Sequence, residues 1–191
     1  MSTKYVRMSR EDRQKQILSV ALNVFVEKGY NGATTAEIAK AADISEVTLF
    51  RNFSSKKGIF KLSVEPIILT TLKESISASD NLNSRDQLEY ILIGRVKLVS
   101  KHYEVIKLIL MESQINEELK DINYIETMYN ILKESVLDFG FEMKDKEFVM
   151  RMLMGSILSF LYMPETEETK IKKFVETVMK LLLNKTEGLD E

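Results

Sequence analysis

Glu46, Val47, Phe50, Arg51 and Asn52 crowd five different recognition chemistries into seven positions of this 191-residue chain. They are what is left pointing outward once the neighbouring apolar and small residues are turned inward at helical spacing. Ile38, Ala39 and Ala42 make one compact inner face, Ile44 follows a turn as a buried anchor, and Leu49 with Phe53 face back four residues apart. The pattern over Thr34 to Phe53 is that of a helix-turn-helix, in which small packed faces let a second helix stand clear and enter a DNA major groove. The same spacing also suits a packed helical hairpin with solvated charges.

Other chemistries find few residues. The chain has no cysteine and one histidine, so a thiolate or multi-histidine metal site is not expected and no disulfide can form. His102 stands beside Tyr103 and Glu104, which supplies neither a ligand count nor a defined acid-base partner; it reads as a capped or surface histidine at a helix start. Glu117–Glu118 and the group Glu165, Glu167 and Glu168 read as helix-start charges that complement the dipole. A glycine-rich phosphate loop, a nucleophile elbow and a metal-spaced set are all missing, so neither an enzyme nor a cofactor is expected.

The elements that must position the outward set are helical. With two prolines, seven glycines and β-branched residues scattered among Leu, Met, Lys and Glu, the chain reads as all-α with about nine helices. Ser9 with Asp12 opens a helix over 10–28 that closes at Lys28–Gly29; Thr34 with Glu37 opens a short one that ends by Asp43; Ser45 caps a third. Ser54 or Ser55 caps a fourth, running from Lys56 past a bend at Pro66 towards Ser77. After a loop over 77–84, helices are expected at about 85–100, 102–114, 117–139, 145–162 and 167–184, with turns at Asn116, Asp138–Gly140 and Pro164–Glu165. The resulting plan is a three-helix DNA-binding head at 10–61, a helical body at 62–185 and a frayed acidic tail at 186–191.

Charge divides the chain at the same place. Residues 1–61 hold eleven Lys/Arg against six Asp/Glu, whereas the rest hold sixteen against twenty-three. A basic head suits a polyanion and an acidic body does not. The longest apolar stretch, Met152 to Met163, is too short and too interrupted to span a bilayer, so a cytoplasmic protein without a membrane partner is expected.

The string from residue 17 resembles the tetracycline-repressor (TetR) family of bacterial regulators. Its words are Ile17-Leu18, Ala21, Phe25 and Gly29-Tyr30; then Thr34-Thr35, Ile38-Ala39 and Ala42; then Ile44-Ser45, Thr48-Leu49-Phe50, Phe53 and Lys56. They run without a gap for 40 residues. The resemblance implies that Thr35, Ser45, Thr48 and Lys56 touch phosphates, while Glu46, Val47, Phe50, Arg51 and Asn52 face bases or sugars of double-stranded DNA. Chemistry agrees: Arg51 could reach guanine, Asn52 adenine, Glu46 the cytosine amino group and Val47 a thymine methyl. Three positions depart from the family pattern. Asp43 stands for the usual turn glycine, Val47 for a frequent glycine, and Phe50 for the usual tyrosine, whose hydroxyl could bond a phosphate.

One such head contacts half a site, so a two-fold dimer on a palindrome is expected. Met152, Gly155, Ser156, Phe160, Phe174, Val178 and Leu181, on the helices at 145–162 and 167–184, are the candidate homodimer interface; the same stripes could also simply fill the monomer core. The resemblance implies that the other body helices surround a pocket for a small-molecule effector, with Leu98, His102, Met111, Tyr124, Met128 and Tyr129 as candidate lining. Repression rather than activation follows from the family alone. The competing reading is an adaptor whose head binds a protein instead of DNA.

Overall fold

The computed structural model describes residues 9–136 and 143–183, and its elements are all helical. They group into two compact units: residues up to Pro66 together with Glu112–Ile122, and Ile67–Met111 together with the described residues from Asn123 on.

In the first unit α1 (Arg10–Gly32) is capped by Ser9, whose hydroxyl accepts from the Asp12 N–H at 3.0 Å. It buries Ile17, Ala21 and Phe25, each four residues after the last, on one face. Gly29 breaks the helical run with φ 70° and ψ 170°, a conformation nearly closed to other residues, so the rod ends where the Lys28–Gly29 signal places it. Helix α2 (Thr35–Ala41) starts on a capping box in which Thr34 and Glu37 each satisfy the other's backbone N–H.

It ends in a Schellman turn: Ile44 N–H bonds the Ala39 carbonyl, Asp43 N–H bonds that of Lys40, and Asp43 takes φ 53°. Asp therefore occupies the left-handed position, as its short polar side chain allows. Ile44 is half-buried and not the fully buried anchor expected, because the turn leaves one side of it open.

Helix α3 (Glu46–Asn52), capped by Ser45, buries Leu49. Helix α4 (Lys56–Glu65), capped by Ser55 and not Ser54, buries Ile59, Phe60 and Val64. Phe25, Tyr30 and Phe60 meet edge-on or stacked at 5.1–5.9 Å and tie α4 to α1.

Pro66 lacks an N–H and crowds the preceding turn, and the chain answers with a π-helical turn, Pro66–Thr70, before continuing as α5 (Thr71–Ala78). The second unit adds α6 (Ser84–Lys101), most of α7 (Tyr103–Ile115), α8 (Tyr124–Val136), α9 (Met143–Ser159) and α10 (Glu168–Leu183). Counting α4, the π turn and α5 as one run, nine helical rods are present among the described residues. Helix α6 runs through the core of this unit, burying Leu88, Ile91, Leu92, Val96 and Val99.

Two of the expected helices differ from expectation. The helix expected at 117–139 is divided: Asn116 caps a single 3-10 turn (Glu117–Leu119), and Asn123 caps a new helix by accepting the Glu126 N–H at 3.0 Å. Two asparagine caps seven residues apart are a stop and a restart. The helix expected to reach 162 ends at Ser159, whose hydroxyl turns back to the Ser156 carbonyl. The expected tail at 186–191 and the turn at Asp138–Gly140 lie outside the described residues.

Candidate nucleic-acid interface

Helix α3 rests on a buried seam of Leu49, Phe53, Ile38, Ala39 and Ala42 and presents its other side to solvent. Glu46, Val47, Phe50 and Arg51 are exposed; Val47 is 70% and Phe50 49% accessible, high for apolar side chains fixed on a rigid helix. Asn52 is half-buried, and its amide donates to the Thr48 carbonyl at 2.8 Å, which holds it against its own helix.

Around this face the hydroxyls are tied down in two pairs. Thr35 Oγ1 donates to Glu46 Oε1 at 2.7 Å, linking the first turn of α2 to the first turn of α3. Ser45 Oγ accepts the Thr48 N–H and lies 3.0 Å from the Thr48 hydroxyl. Lys56 is more internal than expected. Its Nζ donates to the carbonyls of Tyr30 and Ala33 at 3.0 and 3.1 Å and lies 4.4 Å from the Tyr30 ring centroid. It thus binds the end of α1 to the start of α4, and an ammonium with three donors keeps one in reserve.

Sequence reasoning missed the far support of this head. Glu112–Ile122 packs with it: the Tyr30 N–H donates to Glu112 Oε1 at 2.8 Å, the Tyr30 hydroxyl to Glu118 Oε2 at 2.8 Å, and Asn116 Nδ2 to Asn31 Oδ1 at 2.8 Å. Lys57 pairs with Asp121, and Leu119 and Ile122 are buried. Burial, with Glu118 adding to it, holds the Tyr30 phenol well above its ordinary range. Glycine at 29 is required by its φ of 70°, and a Cβ there would also press on Glu112 Oε1 at 2.9 Å.

In the second unit, a narrow cavity is lined by Ile68, Arg95, Leu98, Val99, Ile106, Leu110, Tyr124, Met128 and Leu158. Leu98, Tyr124 and Met128 are the expected lining residues that reach it. The other three do not. Met111 is exposed, Tyr129 packs at the edge of the core, and His102 closes the end of α6, where burial and Lys101 push its imidazole down.

Arg95 was not anticipated. It is 3% exposed, and burial pushes its guanidinium down to about 10, so it is still a cation at neutral pH.

On α9 and α10 the inward stripes are Leu153, Ile157, Ile171, Val175, Met179 and Leu182, all buried. The expected interface residues lie mostly beside them. Gly155 and Leu181 are exposed, and Met152, Ser156, Phe174 and Val178 are half-buried. Phe160 differs: past the end of α9 it folds back on Phe174, edge to face at 4.9 Å, and is buried. Exposed Phe148, Tyr162 and Met163 add to the apolar surface of these elements. Among the described residues no helix is long and apolar enough to cross a membrane, and no three His, Cys, Asp or Glu side chains are placed to hold a metal ion.

Comparison with known proteins agrees with the head's geometry. Residues 17–62 match the family model of bacterial regulatory proteins of the tetR family. The transcriptional regulator YvkB of Bacillus subtilis (strain 168) is 28% identical over 134 residues, covering 69% of this chain and 68% of its own. IcaR of Staphylococcus aureus (strain Newman), a negative regulator of the biofilm operon icaADBC, is 42% identical over 50 residues, 26% of this chain and 27% of its own. A regulator from Aquifex aeolicus VF5 has the same fold at TM-score 0.70 and 22% identity, over 89% of this chain and 99% of its own. The exposed recognition helix, its capped scaffold and these likenesses make the chain a DNA-binding transcriptional regulator whose head, residues 17–62, is that of the tetR family.

Proposed function

We propose that the protein is a cytoplasmic, homodimeric repressor without catalytic activity, released from a palindromic operator by a small molecule. A head at 10–61 binds DNA, and a body at 62–185 pairs the protomers and takes the effector. The observation that carries the reading is the exposed face of α3, on which Val47, Phe50 and Arg51 stand out from a fully buried Leu49. In this reading Thr35, Ser45, Thr48 and the spare donor of Lys56 hold phosphates, and Glu46, Val47, Phe50, Arg51 and Asn52 face the bases and sugars.

Pairing is supported by the half-covered apolar surface of α9 and α10, where a Cβ on Gly155 would meet nothing within 4 Å. Repression is supported by the likeness of the head to a negative regulator. The effector is supported by the cavity's apolar lining, into which a single buried cation, Arg95, is set.

The test is a gel shift with the DNA upstream of the protein's own gene. Affinity is expected to fall steeply, by about a thousandfold or more, between 50 and 200 mM salt, as release of counterions from several phosphates requires. Binding indifferent to salt, or an absent shift with capture of a protein instead, would favour the adaptor reading.

A further inference from the structure

Among the described residues Arg95 is the one cation on the cavity wall, and no described carboxylate answers its charge. Its Nη1 donates to Thr71 Oγ1 at 3.1 Å and lies 3.5 Å from the Ile68 carbonyl, too far for a strong bond. Among the described residues its Nε–H is buried without a hydrogen-bond partner. Among the described residues no carboxylate lies within 4.0 Å of it. A guanidinium withdrawn from water without counter-charge or full hydrogen bonding is strongly unfavourable, and a leucine or methionine would fill such a site at no such cost. The other lining side chains are apolar, apart from the Tyr124 phenol and the Met128 thioether.

We infer that the cavity takes an apolar organic anion, a monocarboxylate whose head group pairs with the Arg95 guanidinium while its hydrocarbon lies among Leu98, Ile106 and Met128. Carboxylate geometry matches the guanidinium edge, where Nε–H and a neighbouring N–H can donate in parallel. An anion also supplies the acceptor that Nε–H lacks, which neither a neutral nor a cationic ligand does as well. The empty space is narrow, with room at any point for little more than a water-sized body, so the chain must part its walls on entry; an unbranched thioether at Met128 is suited to that.

The inference rests on the effector reading above only for its consequence at DNA; binding is measured separately. The experiment is titration calorimetry of the full chain near pH 7 with decanoate below its micelle concentration, 1-decanol and decylammonium. Decanoate is expected to bind at least tenfold more tightly than decanol, and decylammonium more weakly than either. Arg95→Met should bring decanoate down to the level of decanol without weakening decanol, and Arg95→Lys should restore part of the preference. Decanol binding as tightly as decanoate, decanoate binding undiminished in R95M, or no decanoate binding overturns the site. Should R95M fail to fold, the wild-type preference among the three probes decides alone. Decanoate that binds through Arg95 yet leaves the operator complex intact upholds the site and overturns the effector reading instead.

Discussion

The Tyr30 hydroxyl donates to Glu118 Oε2 at 2.8 Å across 88 residues of sequence. Around that bond the end of α1 is held from both sides, by Lys56 on its carbonyls and by Glu112 on the Tyr30 N–H. Glu112 and Glu118 thus brace the head from well away from the helix-turn-helix itself, and its stability can be tested at Glu112 without touching the residues proposed to meet DNA.

Glu112→Ala leaves the Tyr30 N–H without an acceptor and is expected to destabilise the head by about 1–3 kcal/mol. Gly29→Ala is expected to cost a similar amount, about 1–3 kcal/mol, because φ 70° with ψ 170° is strained for any side chain. The double variant should lose less than both changes together, since the new methyl no longer meets Glu112. Urea melts of the four proteins check this, and strict additivity would show that the two residues are not in contact.

On the recognition helix, Phe50→Tyr returns a hydroxyl to an exposed ring. It should tighten operator binding by about 1 kcal/mol, near fivefold, with the gain present at low salt. Arg51→Ala should weaken binding by about 1–3 kcal/mol on the operator and much less on random DNA, the sign of a base contact and not a phosphate contact. Fluorescence anisotropy on both DNAs reads the difference; an equal loss on both would move Arg51 to the phosphate class.

Leu181, 61% exposed on α10, can be charged without disturbing the monomer core. Leu181→Glu is expected to shift the sedimentation equilibrium from dimer towards monomer, with unchanged helical content and an operator affinity reduced at least tenfold by loss of the second half-site contact. A dimer as tight as the wild type would place the interface elsewhere.

Glu37 gives the head a pH signature. The hydrogen bond from Lys28, then those from the Thr34 N–H and hydroxyl, hold its carboxyl down to about 2 from an ordinary 4.5. Because the folded value is the lower, the stabilisation is complete above pH 4.5 and is lost as pH falls through that value towards about 2. Glu37→Gln should lower the thermal midpoint at neutral pH, and the gap to wild type should narrow as the solution is acidified from pH 4.5 towards about 2. A gap independent of pH would mean that the amide caps as well as the carboxylate does and that charge plays no part.

What was legible beforehand was local. Ser9, Thr34, Ser45 and Ser55 announce helix starts because each side chain bonds an N–H three residues on, and all four do so in the structure. Asp43 was readable as a left-handed turn residue for the same reason: the constraint lies within a few bonds of the residue. The partners of Tyr30 were not, since nothing in the composition of 112–122 says which helix it will meet. Arg95 was hidden by its surroundings, an apolar helix stripe into which a charge at position 95 enters at core spacing from Leu88, Leu92 and Val99. A lone arginine on such a stripe, with no acid three or four residues away, is the signal that would have found it.

The inclusion of Glu112–Ile122 in the first unit means that no single uninterrupted stretch of coding sequence specifies the DNA-binding head. A protein expressed only as far as Pro66 would carry every helix-turn-helix residue and still leave the Tyr30 amide and phenol, the Asn31 amide oxygen and the Lys57 ammonium without the partners they have here. Grafting the reader of this regulator onto another body, or shuffling it among relatives, therefore requires two segments to be carried together.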